Sequence, residues 1–407
     1  MKVCVIGLGY IGFPTACFLA NAGHEVVGVD VSAKAIERIK RLDVDATEPG
    51  LKELAKKAVP KMKFSTKPVA ADAFIICVPT PFNAKTKKAD LKYVEAASKA
   101  IAPVVRDGNL VVLESTSPPG TTRDLVAPIV SKGKRIFVAH VPETVIPGSI
   151  IKEMTTNQRV VGGVDDESTE KAAALYASFV KACIHKTDSV VAEAAKLMEN
   201  SFRDTNIALA NEFAKIAEEA GFNVWEAIRL ANTHPRVNIH QPGPGVGGHC
   251  IPLDPWFLAQ VSNESKLIPL SREVNDSMPA YVAELVKVFV NGGKVAILGA
   301  TYKPNVTDAR ESPTGYLAEA LEHAGFDVAV TDPHAINYEG KLVPFDDAVS
   351  GASCIVLAVA HDAYSKLDWK AIAKKVKKRF VVDSKNFLDQ RALIDAGFEY
   401  SVLGKGD

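Results

Sequence analysis

The chain has 407 residues, of which 47% are hydrophobic and 24% charged, with 48 basic and 48 acidic side chains. This length exceeds one ordinary core and predicts two or three domains. The balanced charge gives no general pull on polyanions, so nucleic acid is not an expected partner. The cysteines at 4, 17, 77, 183, 250 and 354 show no C-x-x-C spacing, which excludes a small disulfide scaffold and fits a reducing cytoplasm.

The first 130 residues alternate strand and helix signals. KVCVIG opens the chain as a short apolar run. No charge occurs from Val3 to Ala22, but Gly7, Gly9, Gly12 and Pro14 interrupt the stretch. Strand, turn and helix are therefore expected there, not a signal peptide or a membrane span. HEVVGVD, AFIICVPTP and NLVVLEST read as the next three strands. Apolar strands separated by helices specify a parallel sheet covered on both faces.

Gly7-x-Gly9-x-x-Gly12 lies between the first strand and its helix. Gly7 permits the tight turn, Gly9 admits a pyrophosphate to the backbone, and Gly12 lets helix and strand pack closely. Free N–H groups at the helix start suit phosphate, and Tyr10 and Ile11 belong to the same turn. Asp30 ends the second strand, where a carboxylate accepts ribose hydroxyls and repels a 2′-phosphate. This favours NAD over NADP. Thr80 and Thr116 follow the third and fourth strands and are candidate cofactor or water contacts. Their competing role is turn capping.

Residues 188–220 contain neither Gly nor Pro and place apolar residues at helical spacing. Asp188 or Ser189 is the expected cap and Gly221 the stop. Such a helix is longer than either flanking domain needs, and it reads as a connecting spine and a subunit interface. Lys196, Asn200, Arg203 and Ile207 share one of its faces. That stripe is either a solvated charged face or a Lys–Asn pair that holds a developing oxyanion.

QPGPGVGGHCIPLDPW at 241–256 brings Gly243, Gly245, Gly247 and Gly248 up to Cys250, with Asp254 four residues later. Glycine-rich backbone approaches a ligand closely, and a cysteine beside it suits nucleophilic chemistry. The competing reading is a buried cysteine in a structural turn. Further on, KVAILGATYKPN, EALEHAGFDVAVTDP, SCIVLAVAHDAY and RFVVDSKNF repeat the strands of the N-terminal part in order. The fold class is therefore α/β: two Rossmann-like parallel-sheet domains joined by a helical domain with one long central helix. The dispersed histidines supply no metal-ligand cluster, and no metal is expected.

GLGYIG, STSPPGTT, VPETVIPG, KLMENSFRDTNIALANE, PGPGVGGHCIPLDPW and YKPNVTDARESP together resemble the UDP-glucose/GDP-mannose dehydrogenase family along essentially the whole chain. The resemblance implies an NAD-binding domain at 1–185, a helical dimerisation domain at 186–287 and a UDP-sugar-binding domain at 288–407. ENSFRDTNIALANE, NVWEAIRLANTHPRVN and QPGPGVGGHC are most similar to members that act on UDP-N-acetyl-D-mannosamine. They imply NAD-dependent, two-step oxidation of its C6 alcohol to a carboxylate. UDP-N-acetylglucosamine, UDP-glucose and GDP-mannose are the neighbouring substrates.

By the same resemblance Cys250 attacks the C6 aldehyde, Lys196 and Asn200 stabilise the oxyanion, and Asp254 works with the lysine and a water. Thr116 and Glu143 lie near the cofactor and the hydrolytic water, and Arg310 reaches the cofactor. Arg203, Gly243, Gly245, Gly247, Tyr302, Lys303 and Lys385 fall on the substrate side, and Arg236 serves the neighbour's substrate in a homodimer or higher oligomer. The rival functions are a one-step 3-hydroxyacid-type dehydrogenase and a non-catalytic sugar-nucleotide sensor.

Overall fold

The computed structural model describes residues 1–44, 48–146 and 148–406. It divides into two compact units, residues 1–199 with 256–263, and residues 200–255 with 264–407.

The first unit is built on an eight-stranded sheet. Its strands are β1 Lys2–Ile6, β2 Glu25–Val29, β3 Lys63–Ser65, β4 Ala73–Ile76, β5 Leu110–Leu113, β6 Phe137–His140, β7 Arg159–Gly163 and β8 Ile184–Asp188. They lie in the order β8-β7-β6-β5-β4-β1-β2-β3. The first six follow the doubly wound dinucleotide order 3-2-1-4-5-6. Pairing is parallel except between β6 and β7.

Side chains of β1 alternate between two cores: Val3 and Val5 face one, Cys4 and Ile6 the other. Both faces are apolar because helices cover both, which is why this strand reads as a continuous apolar run. Ile6 pairs with Val29 and Ile76, and Ile76 with Leu113. That register brings Gly7, Asp30, Cys77 and Glu114 to one edge of the sheet.

An apolar-run criterion finds β1, β2, β4 and β5. It misses the three-residue β3 and the outer strands β6 to β8. The outermost, IHKTD, is half-exposed and carries no apolar face. Cys4 lies inside a strand as expected. Cys77 sits one residue beyond β4, where its thiol donates to Glu114 at 2.8 Å.

Helix α1 spans Gly12–Asn21 and helix α2 Ser189–Ala220. Asp188 caps α2 by accepting the Val190 and Val191 amides, and Gly221 ends it at φ +74°. At 32 residues the helix is about 48 Å long. No helix among the described residues is long and apolar enough to cross a membrane.

The second unit carries β9 Lys294–Leu298, β10 Asp327–Thr331, β11 Ala352–Leu357, β12 Phe380–Asp383 and β13 Glu399–Val402 in the order β10-β9-β11-β12-β13. This is the other common doubly wound order, 2-1-3-4-5, with its crevice between the first and third strands. Val295 and Ile297 face one core, Ala296 and Leu298 the other.

A buried polar chain ties α2 to helix α3, Leu267–Phe289. Arg272 donates to Asp204 at 2.5 Å, Asn275 to Asp204 at 2.8 Å and Asn211 to Asn275 at 2.9 Å. Asn211 in turn accepts the Gly243 amide at 2.8 Å. Removing Asp204 would leave buried Arg272 only its pairing with exposed Asp276 and would take the carboxylate acceptor from Asn275. Asp204→Ala is expected to destabilise the second unit by about 3–5 kcal/mol, whereas Asp204→Leu with Arg272→Met recovers most of that loss. Denaturant unfolding of the three proteins checks this.

Candidate active site

The glycine turn of the first unit has the geometry its sequence demands. Gly7 takes φ +90°, and a Cβ there would lie 2.3 Å from the Cys77 carbonyl oxygen. A Cβ on Gly12 would lie 2.0 Å from the Gly7 carbonyl oxygen, so helix and turn can touch only through glycine. At Gly9 a Cβ would meet nothing within 4 Å. Tyr10 is exposed and Ile11 half-buried beside this open face.

Asp30 is held in place by backbone. The Leu8 amide donates to Oδ2 at 3.0 Å and the Ser32 amide to Oδ1 at 2.9 Å. Each oxygen keeps an acceptor site for a ligand. Thr80 Oγ1 is buried with no partner among the described residues. An open backbone face, a fixed carboxylate and an orphaned hydroxyl on one crevice fit a dinucleotide. Gly7, Gly9 and Gly12 would hold its pyrophosphate, and Asp30 its ribose.

Thr116 is half-buried in the loop that follows β5. Glu193 of α2 pins the far end of that loop by accepting the Gly120 amide at 2.5 Å and the Thr122 amide at 2.7 Å. Beneath it, buried Glu114 accepts Cys77, Tyr176 and Thr15. Burial pushes its carboxyl up to about 7, although Arg159 opposes the shift. Glu143 is itself buried and pairs with Arg159 at 2.6 Å while taking the Thr144 and Val145 amides. Pro147 lies outside the described residues. Neither Arg159 nor the hub role of Glu114 was legible in the sequence, because their partners lie 16 to 99 residues away.

In the second unit, Cys250 is exposed at the end of the glycine loop. Its carbonyl accepts the Asp254 amide at 2.8 Å, so the thiol and the acid are one backbone turn apart. Asn200 of α2 donates to Asp254 Oδ2 at 2.6 Å, and these two side chains are 6% and 4% exposed. That bond compensates for an Asn in mid-helix. Lys196, one turn earlier on the same helix and within the first unit, is 8% exposed. Arg203 is exposed.

The loop glycines fit against protein. A Cβ on Gly247 would come 2.5 Å from the Glu311 carbonyl oxygen, and one on Gly248 (φ +90°) 3.1 Å from the Tyr302 ring. Gly243 and Gly245 press on Lys385 and Pro313 in the same way. They border a cleft of about 480 Å³ walled by Trp225, Tyr302, Pro313, Lys385 and Phe387. Trp225, Asn386 and Phe387 were not anticipated from the sequence, although Trp225 stands in the NVWEAIRLAN segment.

Lys303 and Arg236 are exposed, and Arg310 pairs with Asp308 at 2.6 Å. Burial raises the Asp308 carboxyl, but the bonds from Arg310 and Asn337 outweigh it and hold the group down at about 2.

Burial lowers the Lys385 ammonium to about 8, against the pull of Asp383. The charged form binds an anion, so anion affinity is full below that value and lost above it. UDP affinity measured by calorimetry is expected to fall as pH rises through about 8, by up to tenfold per pH unit. Lys385→Met should bind weakly at every pH and show no such step.

Residues 1–180 match the NAD binding domain of the UDP-glucose/GDP-mannose dehydrogenase family, 190–277 its central domain and 296–390 its UDP binding domain. The UDP-N-acetyl-D-mannosamine dehydrogenase of Methanocaldococcus jannaschii is 51% identical across 100% of this chain and 97% of its own length. The NDP-N-acetyl-D-galactosaminuronic acid dehydrogenase of Ralstonia solanacearum is 42% identical across 96% and 97%. Among solved structures, the UDP-D-ManNAc dehydrogenase of Pyrococcus horikoshii superimposes with a TM-score of 0.91 at 38% identity, covering 100% of both chains. With the family's three domains matched in order and relatives similar along the whole chain, the chain belongs to the UDP-glucose/GDP-mannose dehydrogenase family as an NAD-dependent UDP-sugar dehydrogenase.

Proposed function

We propose that the enzyme oxidises the C6 alcohol of UDP-N-acetyl-D-mannosamine to UDP-N-acetyl-D-mannosaminuronate through a covalent bond to Cys250. Support for the substrate comes from relatives named for that activity, among them one 51% identical along the whole chain. The observation that carries the chemistry is the exposed Cys250 whose carbonyl holds the Asp254 amide while Asn200 holds the Asp254 carboxylate.

Bound NAD⁺ supplies the hydride acceptor for each of the two oxidations. The chain's residues do the rest. Cys250 Sγ adds to the C6 aldehyde, forming a C–S bond and a thiohemiacetal, so the intermediate cannot escape. Lys196 and Asn200 stabilise the oxygen that gathers negative charge. The thiohemiacetal carbon becomes a thioester on the second oxidation. Water adds to that carbon, the C–S bond breaks, and the sulfur leaves with a proton. Asp254, Thr116 and Glu143 handle that water and its protons. Over the cycle the carbon loses two hydrides and gains one oxygen from water.

Arg203, Tyr302, Lys303, Lys385 and the loop glycines serve the substrate, and Arg310 serves the cofactor. The enzyme works as a homodimer in the cytoplasm. Val191, Met198, Phe202, Leu209 and Ile216 are all exposed apolar residues on α2. Their spacing places them within an arc of about 40° on an ideal helix, a narrow seam suited to a second copy. Arg236 is exposed and available to the neighbour's substrate.

A panel of UDP- and GDP-sugars with NAD⁺ tests the substrate, and two NADH per acid formed separates this chemistry from a one-step dehydrogenase. Cys250→Ser is expected to lower acid formation on the order of a thousandfold or more; steady-state conversion at the native rate would exclude the covalent step. Phe202→Glu should convert a dimer to monomers in light scattering, and an unchanged mass would remove α2 from the interface.

A further inference from the structure

The crevice at the ends of β9 and β11 repeats the cofactor crevice of the first unit in its backbone. After the first strand of each sheet, a glycine amide donates to the last carbonyl of the second strand: Gly7 to Val29 and Gly299 to Thr331, both at 2.8 Å. The next amide donates to the acid beyond the second strand: Leu8 to Asp30 at 3.0 Å and Ala300 to Asp332 at 2.6 Å. The amide two residues past each acid also donates to it, from Ser32 at 2.9 Å and from His334 at 2.7 Å.

The registers Ile6 with Ile76 and Leu298 with Leu357 make Thr80 and His361 equivalent positions, each four residues beyond its strand's paired residue. Here the two crevices part. Thr80 Oγ1 has no partner, and Asp30 receives no side-chain bond among the described residues. His361 instead reaches Asp332, its Nε2 lying 2.9 Å from Oδ2 and 3.2 Å from Thr301 Oγ1. Neither His361 nor Asp332 has accessible side-chain surface. The Asn305 amide donates to His361 Nδ1 at 2.9 Å. An amide only donates, so Nδ1 is unprotonated and the ring hydrogen sits on Nε2, directed at Asp332.

We infer that His361 is an internal occupant of the second dinucleotide-type crevice, which together with the Thr301 and Ala335 amides denies Asp332 to a ribose and makes the crevice a support for loop 301–305. That loop lends Thr301, Tyr302 and Pro304 to the wall of the nucleotide cleft. Its Asn305 sits at φ +58°, a costly conformation for a residue with a Cβ, and is held there by the imidazole on its amide and by the Asp362 amide on its side chain. His361 is therefore a positioning residue for UDP-sugar binding. It touches neither substrate nor cofactor. The inference rests on the nucleotide reading of the cleft.

The test titrates UDP and NAD⁺ separately into wild type, His361→Gly and His361→Asn by calorimetry, with and without imidazole, and follows steady-state kinetics. His361→Gly is expected to bind UDP about tenfold more weakly. The KM for UDP-sugar should rise while kcat and NAD⁺ affinity hold, and added imidazole should restore UDP affinity. A folded His361→Gly protein that binds UDP as tightly as wild type overturns the positioning role, as does a weakening that imidazole does not reverse. Should His361→Gly fail to fold, His361→Asn serves in its place, because its shorter side chain cannot reach the Asn305 amide and Asp332 together and UDP affinity should fall. Native UDP affinity in that variant overturns the role equally. Wild type that binds no UDP would instead refute the nucleotide reading itself.

Discussion

An aspartate clamped by backbone amides at the end of a second strand is the constraint around which both α/β units are organised. The amides exist because the strands end in register and a glycine turns the chain sharply after the first. A carboxylate so held cannot swing away. Asp30, with one amide on each oxygen, still has a lone pair on each to offer, whereas Asp332 takes the Ala300, Thr301, His334 and Ala335 amides. What lies opposite then decides what the crevice is for. Asp30 faces an open glycine turn, whereas Asp332 faces an imidazole of its own chain. One architecture thus yields a cofactor site in one unit and a support for a ligand-lining loop in the other.

Buried acids play the corresponding part for the loops. Glu193, Glu114 and Asp204 each accept several donors from segments distant in sequence. A carboxylate away from water is costly unless it is so satisfied. Such hubs therefore fix the segments that satisfy them. Glu193 fixes the loop after β5, and the Asp204 chain fixes the start of the glycine loop through Asn211. Rigid support of this kind is what a reactive group needs to meet one carbon in one orientation.

The glycines of residues 243–248 serve a purpose other than that of the nucleotide turn. Their missing side chains admit Tyr302, Pro313 and Lys385, so that the loop lies flat along the cleft and delivers Cys250 at its end. Covalent capture suits this placement. The exposed sulfur and the Asp254 helix begin from the same backbone turn, and the position of one fixes the other.

Sequence alone determined what depends on near neighbours. Short continuous apolar runs gave the central strands, unbroken helical spacing gave α2 to within a residue of its ends, and the glycine pattern gave both loops. The echo between the two halves predicted two sheets, and the motifs singled out Cys250, Asn200, Asp254, Asp30 and Thr80. The outermost strand stayed hidden because its edge position lacks an apolar face, and β6, β7, Trp225 and Phe387 were not read from the sequence either. Only the tertiary structure decided which polar groups meet. Asn200 and Asp254 are 54 residues apart, Cys77 and Glu114 are 37 apart, and Asp332 and His361 are 29 apart. No local rule couples such residues. Their partnership is enforced by the cost of burying a charge or donor alone, and that cost arises only once the chain has folded around them.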